Sequence, residues 1–291
     1  MGWIDHGAIW CCDLESRAET LIPVPGAQFV GVRGGRDGFF RVTHGESAGV
    51  VASVRHVSRP EEILSSVLLD ATGPVLDGDM DVWRMVDRAC VVKGLTGQKV
   101  LLVEYLLGEV KDIDLGWYNA ETYDLGYQGL VDCLAVSGGK EVVVSVQRSS
   151  KLVIVDVATN LPVGSIVLAG SGGNPGMSMI SGSTFLASDY DTLCLVDASA
   201  RRTTQKVRLQ DGGDGFQRRF VGEYQAQIDG LCIVARPYSN DVALLDSELN
   251  VIGQAPVKCQ PMQVCMTSSR EFLVRDWQSG IPEFGEFSGK L

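Results

Sequence analysis

The sequence predicts an all-β fold of repeated four-stranded sheets, from three observations. Apolar runs of strand length, rich in Val, Ile and Leu, recur along the chain between short polar turns. Glycine is abundant, 34 of 291 residues, and long helical patterns are few, as in chains that turn often. One unit returns at near-regular spacing: an apolar strand, an Asp, a short polar turn and a second apolar strand. A single hairpin of this kind cannot bury its own face, whereas sheets stacked around an axis bury theirs against one another. The architecture that satisfies all three is a β-propeller.

The copies run through the chain in order. Ile9–Cys12 ends at Asp13 and leads to Thr20–Val24. Val51–Val57 with Ile63–Leu69 is a degraded copy, with Arg55 or His56 in the Asp place. A weaker one, Val110–Ile113, ends at Asp114. The clearest is Leu152–Val155 with Asp156, followed by Leu161–Leu168. Leu193–Val196 with Asp197 leads to Val207–Leu209, and Val242–Leu245 with Asp246 leads to Val251–Val257. In each copy the Asp ends a strand, and its carboxylate can accept backbone N–H groups of the turn. Asp114, Asp156 and Asp197 stand 42 and 41 residues apart, and Asp246 follows after 49. A four-stranded blade takes about 40–50 residues, so the spacing fits one anchor per blade.

Upstream of the hairpins lie two more strands per unit. They are Gly129–Val136 and Glu141–Val146, then Gly176–Ile180 and Thr184–Ala187, and near the end Met262–Met266 and Glu271–Val274. Six anchors predict six four-stranded blades. Seven is the alternative, if residues 71–95 belong to a degenerate blade. The opening hairpin, residues 8–24, and the closing strands, residues 259–279, complete each other as one shared blade. Residues 1–291 therefore read as a single domain whose sheet edges are closed. The tail Ile281–Phe287 adds an outer strand or lies as a loop.

Residues 153–166, Val153-x-Val155-Asp156-x-x-Thr159 running to Ile166, resemble the repeat signature of YVTN-type and related WD40-like propellers. The likeness covers most of the chain as rhythm and is specific in three or four blades. The Gly-His and Trp-Asp landmarks of strict WD40 repeats are absent, and Arg275-Asp276-Trp277 is not such a landmark. The resemblance implies a propeller and no particular member. Its relatives include lactonase-like proteins.

Composition narrows the function classes. A formal net charge of -11 repels phosphate backbones, and no dense Lys/Arg stripe stands out to offset it, so nucleic-acid binding is disfavoured apart from a local patch at Arg218 and Arg219. The same charge favours a basic peptide as partner. No stretch approaches 18 apolar residues and the start of the chain lacks a basic, apolar leader, so no membrane contact is expected. A monomer is the expected state. Eight cysteines form no CxxC pair and mostly sit in apolar runs, which reads as buried thiols in a reducing, cytoplasmic setting. Cys11 and Cys12 alternate faces on a strand and converge poorly on zinc.

Candidate recognition residues lie in the loops between the second and third strand of each unit, which open on one propeller face. They are His44 and Glu46 in the first such loop, Arg148, Asp189 with Tyr190, Arg236 with Tyr238 and Asn240, and Asp276 with Trp277. Tyr, Trp and Arg dominate binding hot spots because they combine contact area with directed polar atoms. The reading is a non-enzymatic module that binds a protein or peptide. The alternative is a propeller-type hydrolase or lactonase with a metal or polar site on the central axis, drawing on Asp87, Glu223, Gln225 and Gln263.

No cofactor is expected. Asp77, Asp79 and Asp81 alternate as calcium ligands do, but Val82 and Arg88 occupy the places of the turn Gly and final Glu of a calcium loop. His44 with Glu46 is a weak acid–base pair, His56 reads as a surface residue, and no GxSxG elbow occurs. Residues 170–176 are rich in Gly but lack the Lys-Ser/Thr pair of a phosphate loop.

Overall fold

The structure is a computed structural model. It describes residues 2–5, 8–12, 16–23, 29–32, 39–46, 49–56, 59–70, 80–86, 89–94, 99–104, 109–114, 130–146, 149–169, 176–189, 191–209, 225–228, 230–237, 239–276, 279 and 282–288. Among these residues there is no α-helix, and the strands lie in seven antiparallel sheets. The first sheet has three strands, β1 (Gly2–Asp5), β2 (Ala8–Cys12) and β3 (Glu19–Pro23). The second has β4 (Phe29–Val32), β5 (Phe39–Glu46), β6 (Gly49–His56) and β7 (Arg59–Asp70). The third has β8 (Met80–Val86), β9 (Ala89–Gly94), β10 (Lys99–Glu104) and β11 (Glu109–Asp114).

The fourth sheet has β12 (Leu130–Val136), β13 (Glu141–Val146), β14 (Lys151–Asp156) and β15 (Leu161–Val167). The fifth has β16 (Met177–Ser181), β17 (Thr184–Asp189), β18 (Thr192–Asp197) and β19 (Arg202–Arg208). The sixth has β20 (Gln225–Ile228), β21 (Leu231–Arg236), β22 (Asp241–Leu245) and β23 (Val251–Pro256). The seventh has β24 (Pro261–Met266), β25 (Glu271–Asp276) and β26 (Pro282–Glu286). In every sheet the strands pair in sequence order.

The strand pairs expected from the sequence form from residue 130 onward, and the tail is a strand, β26, paired with β25. The interval between the anchors at 56 and 114 contains a complete sheet of its own, β8–β11. Asp114 ends the last strand of that sheet rather than the third, where a repeat anchor stands. The sequence of β11 shows the difference: Lys111 and Asp112 interrupt the continuous apolar run that a strand covered on both faces carries.

Burial explains why the hairpins read so clearly. In β14 the four residues Leu152–Val155 are all buried, and in β22 so are Val242–Leu245. Strands covered on both faces become continuous apolar runs. The outer strand β19 instead alternates exposed and half-buried residues throughout. The chain divides into two compact units, Met1–Val142 with Asp156–Leu161, and Val143–Val155 with Pro162–Leu291. In the first, Ile113, Cys133–Val136 and Val142 are buried.

In the second unit, Leu186, Leu193 and Leu209 of the fifth sheet region pack with Cys232, Val234, Ala243, Leu245 and Leu249 of the sixth. Ile233, Ala235, Val242 and Leu244 pack with Val264, Met266, Phe272, Val274 and Phe287. Each such large side chain contributes roughly 1.5–3 kcal/mol by leaving water. Phe272 and Phe287 lie with ring centroids 4.9 Å apart, and the Phe272 ring fills the space where a Cβ on Gly285 would stand.

The Asp turns form as the sequence implies at three positions. Asp156 Oδ1 accepts the N–H and the hydroxyl of Thr159, both at 2.8 Å. Asp197 Oδ1 accepts the Ser199 hydroxyl at 2.6 Å and the Ala200 N–H at 3.0 Å. Asp246 Oδ1 accepts the N–H groups of Glu248 and Asn250 at 2.9 and 2.8 Å, and its Oδ2 accepts the Asn250 amide at 2.9 Å. These bonds to the charged form hold all three carboxyls below the ordinary Asp value, side-chain bonds being the largest cause. Each turn closes through a left-handed residue, Asn160, Arg201 or Leu249. Leu249, in a conformation that costs a leucine about 1–2 kcal/mol, is held by its burial in the core.

Candidate functional site

The loops between second and third strands are built from the strand ends inward. In the fifth sheet Asp189 is the last residue of β17 and is fully buried. Its Oδ2 accepts the backbone N–H of Ala169 at 2.9 Å, and its Oδ1 accepts the Ser150 hydroxyl at 3.4 Å. Ala169 follows β15 and Ser150 precedes β14, so one carboxylate ties the fifth sheet to two segments of the fourth. Leu168, beside Ala169, donates its N–H to the Ser150 carbonyl at 2.8 Å and continues the β14–β15 ladder. Two residues on, Asp191 is buried and accepts Arg208 Nε at 2.6 Å and the Thr192 hydroxyl at 3.0 Å.

The seventh sheet repeats the device. Asp276 ends β25, and its Oδ1 accepts the backbone N–H of Gln260 at 2.9 Å. Gln260 belongs to the segment that leaves β23, as Ala169 belongs to the segment that leaves β15. Within that segment Val257 donates its N–H to the Asn240 carbonyl at 2.9 Å. The Val257–Gln260 segment therefore joins the loop of the sixth sheet to that of the seventh. Asp276 Oδ2 also accepts the N–H and hydroxyl of Ser279, at 2.8 and 2.6 Å, which shapes its own loop.

The sixth sheet departs from this pattern. Arg236 ends β21, where Asp189 and Asp276 stand in their sheets, and is 2% exposed. A guanidinium has no acceptor for a neighbour's N–H. Arg236 instead forms a two-pronged pair with Asp241, the first residue of β22: Nε donates to Oδ1 at 2.7 Å, and Nη2 to Oδ2. The loop that this pair spans carries Asn240, which is exposed and left-handed, a backbone state that Asn tolerates.

His44 and Glu46, expected in a loop, lie on strand β5, opposite Val51 and Gly49. The turn is shorter than the sequence suggested because the ladder runs on to Glu46, leaving residues 47–48 between the strands. Arg148, Tyr190, Tyr238 and Trp277 lie outside the described residues, as do Asp77, Asp79, Asp87 and Glu223. Gln225 is on β20 and Gln263 on β24. Among the described residues no group of His, Cys, Asp and Glu could hold a metal ion. Among them also, no helix is long and apolar enough to cross a membrane.

Sequence reasoning took Asp189, Arg236 and Asp276 as recognition side chains, and it missed Ser150, Asp191 and Asp241 as their companions. The available signal was position: Asp189 and Asp276 each end a strand and precede an aromatic residue, Tyr190 or Trp277. Of the thiols, Cys194 and Cys232 are buried, and burial is the main cause that pushes each up to about 12. Cys259 reaches about 12 as well, through burial first and then the negative charge of Glu283.

No protein-family model matches the sequence, and no characterised protein matches it by sequence search. Solved structures match in fold. The β-propeller domain of Cps50 (Swd1) from Myceliophteria thermophila aligns with a TM-score of 0.66 and 11% identity, covering 99% of this chain and 92% of that one. The WD40 β-propeller domain of Doa1 aligns with a TM-score of 0.64 and 10% identity, covering 97% and 86%. A putative 6-phosphogluconolactonase from Bacteroides fragilis aligns with a TM-score of 0.62 and 11% identity, covering 96% and 86%. The fold that these likenesses share is the β-propeller. At such identities they show the fold alone.

Proposed function

We propose that this chain is a non-enzymatic module that binds a protein or peptide on the loops between the second and third strands of its sheets. The observation that carries the reading is the way these loops are braced. Asp189, Asp276 and the Arg236–Asp241 pair hold the strand ends through buried or partly buried polar bonds. A braced loop loses little entropy on binding, which favours recognition. In this reading those charged groups are the frame. Contact falls to the side chains between them: Tyr190, Tyr238, Asn240 and Trp277, with Arg148.

The same reading takes residues 1–291 as one propeller domain, supported by neighbours that align over 96% or more of the chain. Seven sheets among the described residues favour seven blades over six, with the three-stranded first and last sheets as two blades rather than the one shared blade expected from the sequence. The protein is read as a cytoplasmic monomer without a resident metal, with a basic partner drawn by the net charge of -11.

Probing a peptide array with the purified protein tests this. We expect the wild type to select a consistent peptide set and a Tyr190/Tyr238/Trp277 triple alanine variant to bind it at least about tenfold more weakly. Unchanged binding by that variant refutes the loop surface. The second reading, a propeller-type lactonase, is favoured by the neighbour described as a putative 6-phosphogluconolactonase. Hydrolysis of that lactone by the purified protein, measured with metal analysis of the same sample, decides it.

A further inference from the structure

The fifth sheet carries a run of positive charge that the overall acidity hides. Arg201, Arg202, Lys206 and Arg208 fall within eight residues, with no Asp or Glu between Ala198 and Gln210, in a chain of net charge -11. All four are exposed, along β19 and the turn before it.

Their arrangement follows from a register shift. Gln205 sits opposite Leu195 and Thr203 opposite Val196, so Thr204 is an extra residue in the ladder. The insertion returns Lys206 to the side of Thr203. The hydrogen bonds agree: the Thr203 hydroxyl donates to the Val167 carbonyl at 2.8 Å, Lys206 Nζ to the Leu168 carbonyl at 2.7 Å, and Arg201 Nη1 to the Val163 carbonyl. Gln205 reaches the other way, to the Glu248 carbonyl, and Val207 packs on the core between the fifth and sixth sheets. A carbonyl holds the Lys206 ammonium in place without cancelling its charge. Arg208 is paired with Asp191, yet its side chain stays 53% exposed. Beside the cations Val167 is 58% exposed.

From this arrangement we infer that the surface where β19 of the fifth sheet meets β15 of the fourth is a docking surface for a short acidic segment of a partner protein, with carboxylates over Arg201 and Lys206, whose side chains reach carbonyls of β15 and of Leu168 just after it, and an apolar side chain over Val167. Charge complementarity selects the occupant. A short acidic segment engages only the local cations, whereas a longer nucleic acid also meets the repulsion of a chain with net charge -11. Arg201 and Lys206 lie outside the loops proposed above, and the two tests use different probes, so either reading can fail alone.

Fluorescence anisotropy of the full chain with a labelled Glu/Val peptide, and with its Gln/Val counterpart, tests the inference. The Glu/Val peptide should bind and the Gln/Val peptide should bind at least about tenfold more weakly, with affinity falling as salt rises. Lys206→Glu with Arg201→Glu should weaken binding by about tenfold or more. Lys140→Glu, an exposed position outside the stripe, should leave it unchanged. If the reversed variant melts early, Lys206→Gln is measured in its place, with a smaller loss in the same direction. Equal binding of both peptides, or an equal loss in Lys140→Glu, overturns the proposal. Tighter binding of a single-stranded oligonucleotide of matched charge also overturns it.

Discussion

The carboxylate of Asp189 receives the backbone N–H of Ala169 at 2.9 Å, and with it the segment that leaves the fourth sheet is fixed to the second strand of the fifth. Asp276 does the same for Gln260 at the same distance. Removing the Asp189 carboxylate leaves a buried region with a stranded donor, which costs about 1–3 kcal/mol. Asp189→Ala should lower the urea midpoint accordingly. Asp276→Ala should cost less, because its surroundings are partly open to water. Equal midpoints for wild type and Asp189→Ala would show that this bond does not hold the sheets.

Arg236 and Asp241 make a contrasting case. Cutting one partner strands the other in a largely buried setting, which costs about 3–5 kcal/mol, whereas replacing both with apolar groups of similar shape is nearly neutral. Arg236→Ala should therefore destabilise strongly, and Arg236→Met with Asp241→Leu should recover most of the loss. Chemical denaturation of the two variants and the single Asp241→Leu checks this. A double variant as unstable as the single ones would place the role of Arg236 elsewhere than in the pair.

The three anchor turns make the protein sensitive to acid. Asp156, Asp197 and Asp246 have folded-state values below the ordinary Asp value of 3.8, through bonds to Thr159, Ser199 and Asn250. A carboxyl lowered on folding adds stability that is complete above its unfolded value and is lost as pH falls through the folded one. The contribution is thus whole at neutral pH and disappears below about pH 4. The Asp156→Asn, Asp197→Asn, Asp246→Asn triple variant should show a flatter fall in melting temperature between pH 5 and pH 2 on the order of those values. An identical acid limb would refute the turn-based origin.

Cys194 and Cys232, pushed up to about 12, carry almost no thiolate at neutral pH and are also shielded from reagents. Alkylation followed by peptide mapping should leave both unmodified in the native protein and label both in denaturant. Rapid native labelling of either would mean that the strands β18 or β21 open readily.

The anchors were legible in the sequence because their chemistry is local. Asp156 and Thr159 are three residues apart, and a carboxylate beside a polar turn announces itself. The bracing of the loops was not legible, since Ala169 lies 20 residues from Asp189 and Gln260 lies 16 from Asp276. Only the pairing of sheets brings those donors near. Arg236 looked like a recognition residue because charge at a strand end suggests exposure, but Asp241 five positions on takes it inward. Asp114 misled for another reason: an apolar-then-Asp ending also suits an outer strand, and the charged pair Lys111-Asp112 inside β11 was the better guide.

Phe287 is buried, stacks on Phe272, and donates its N–H to the Arg270 carbonyl at 2.9 Å. Trimming the chain just ahead of this ring would uncover the face of Phe272 and unlatch β26 from its neighbour. Affinity tags and fusion partners therefore belong after Ser288, and a proteolytic nick upstream of it would turn a well-behaved preparation into a sticky one.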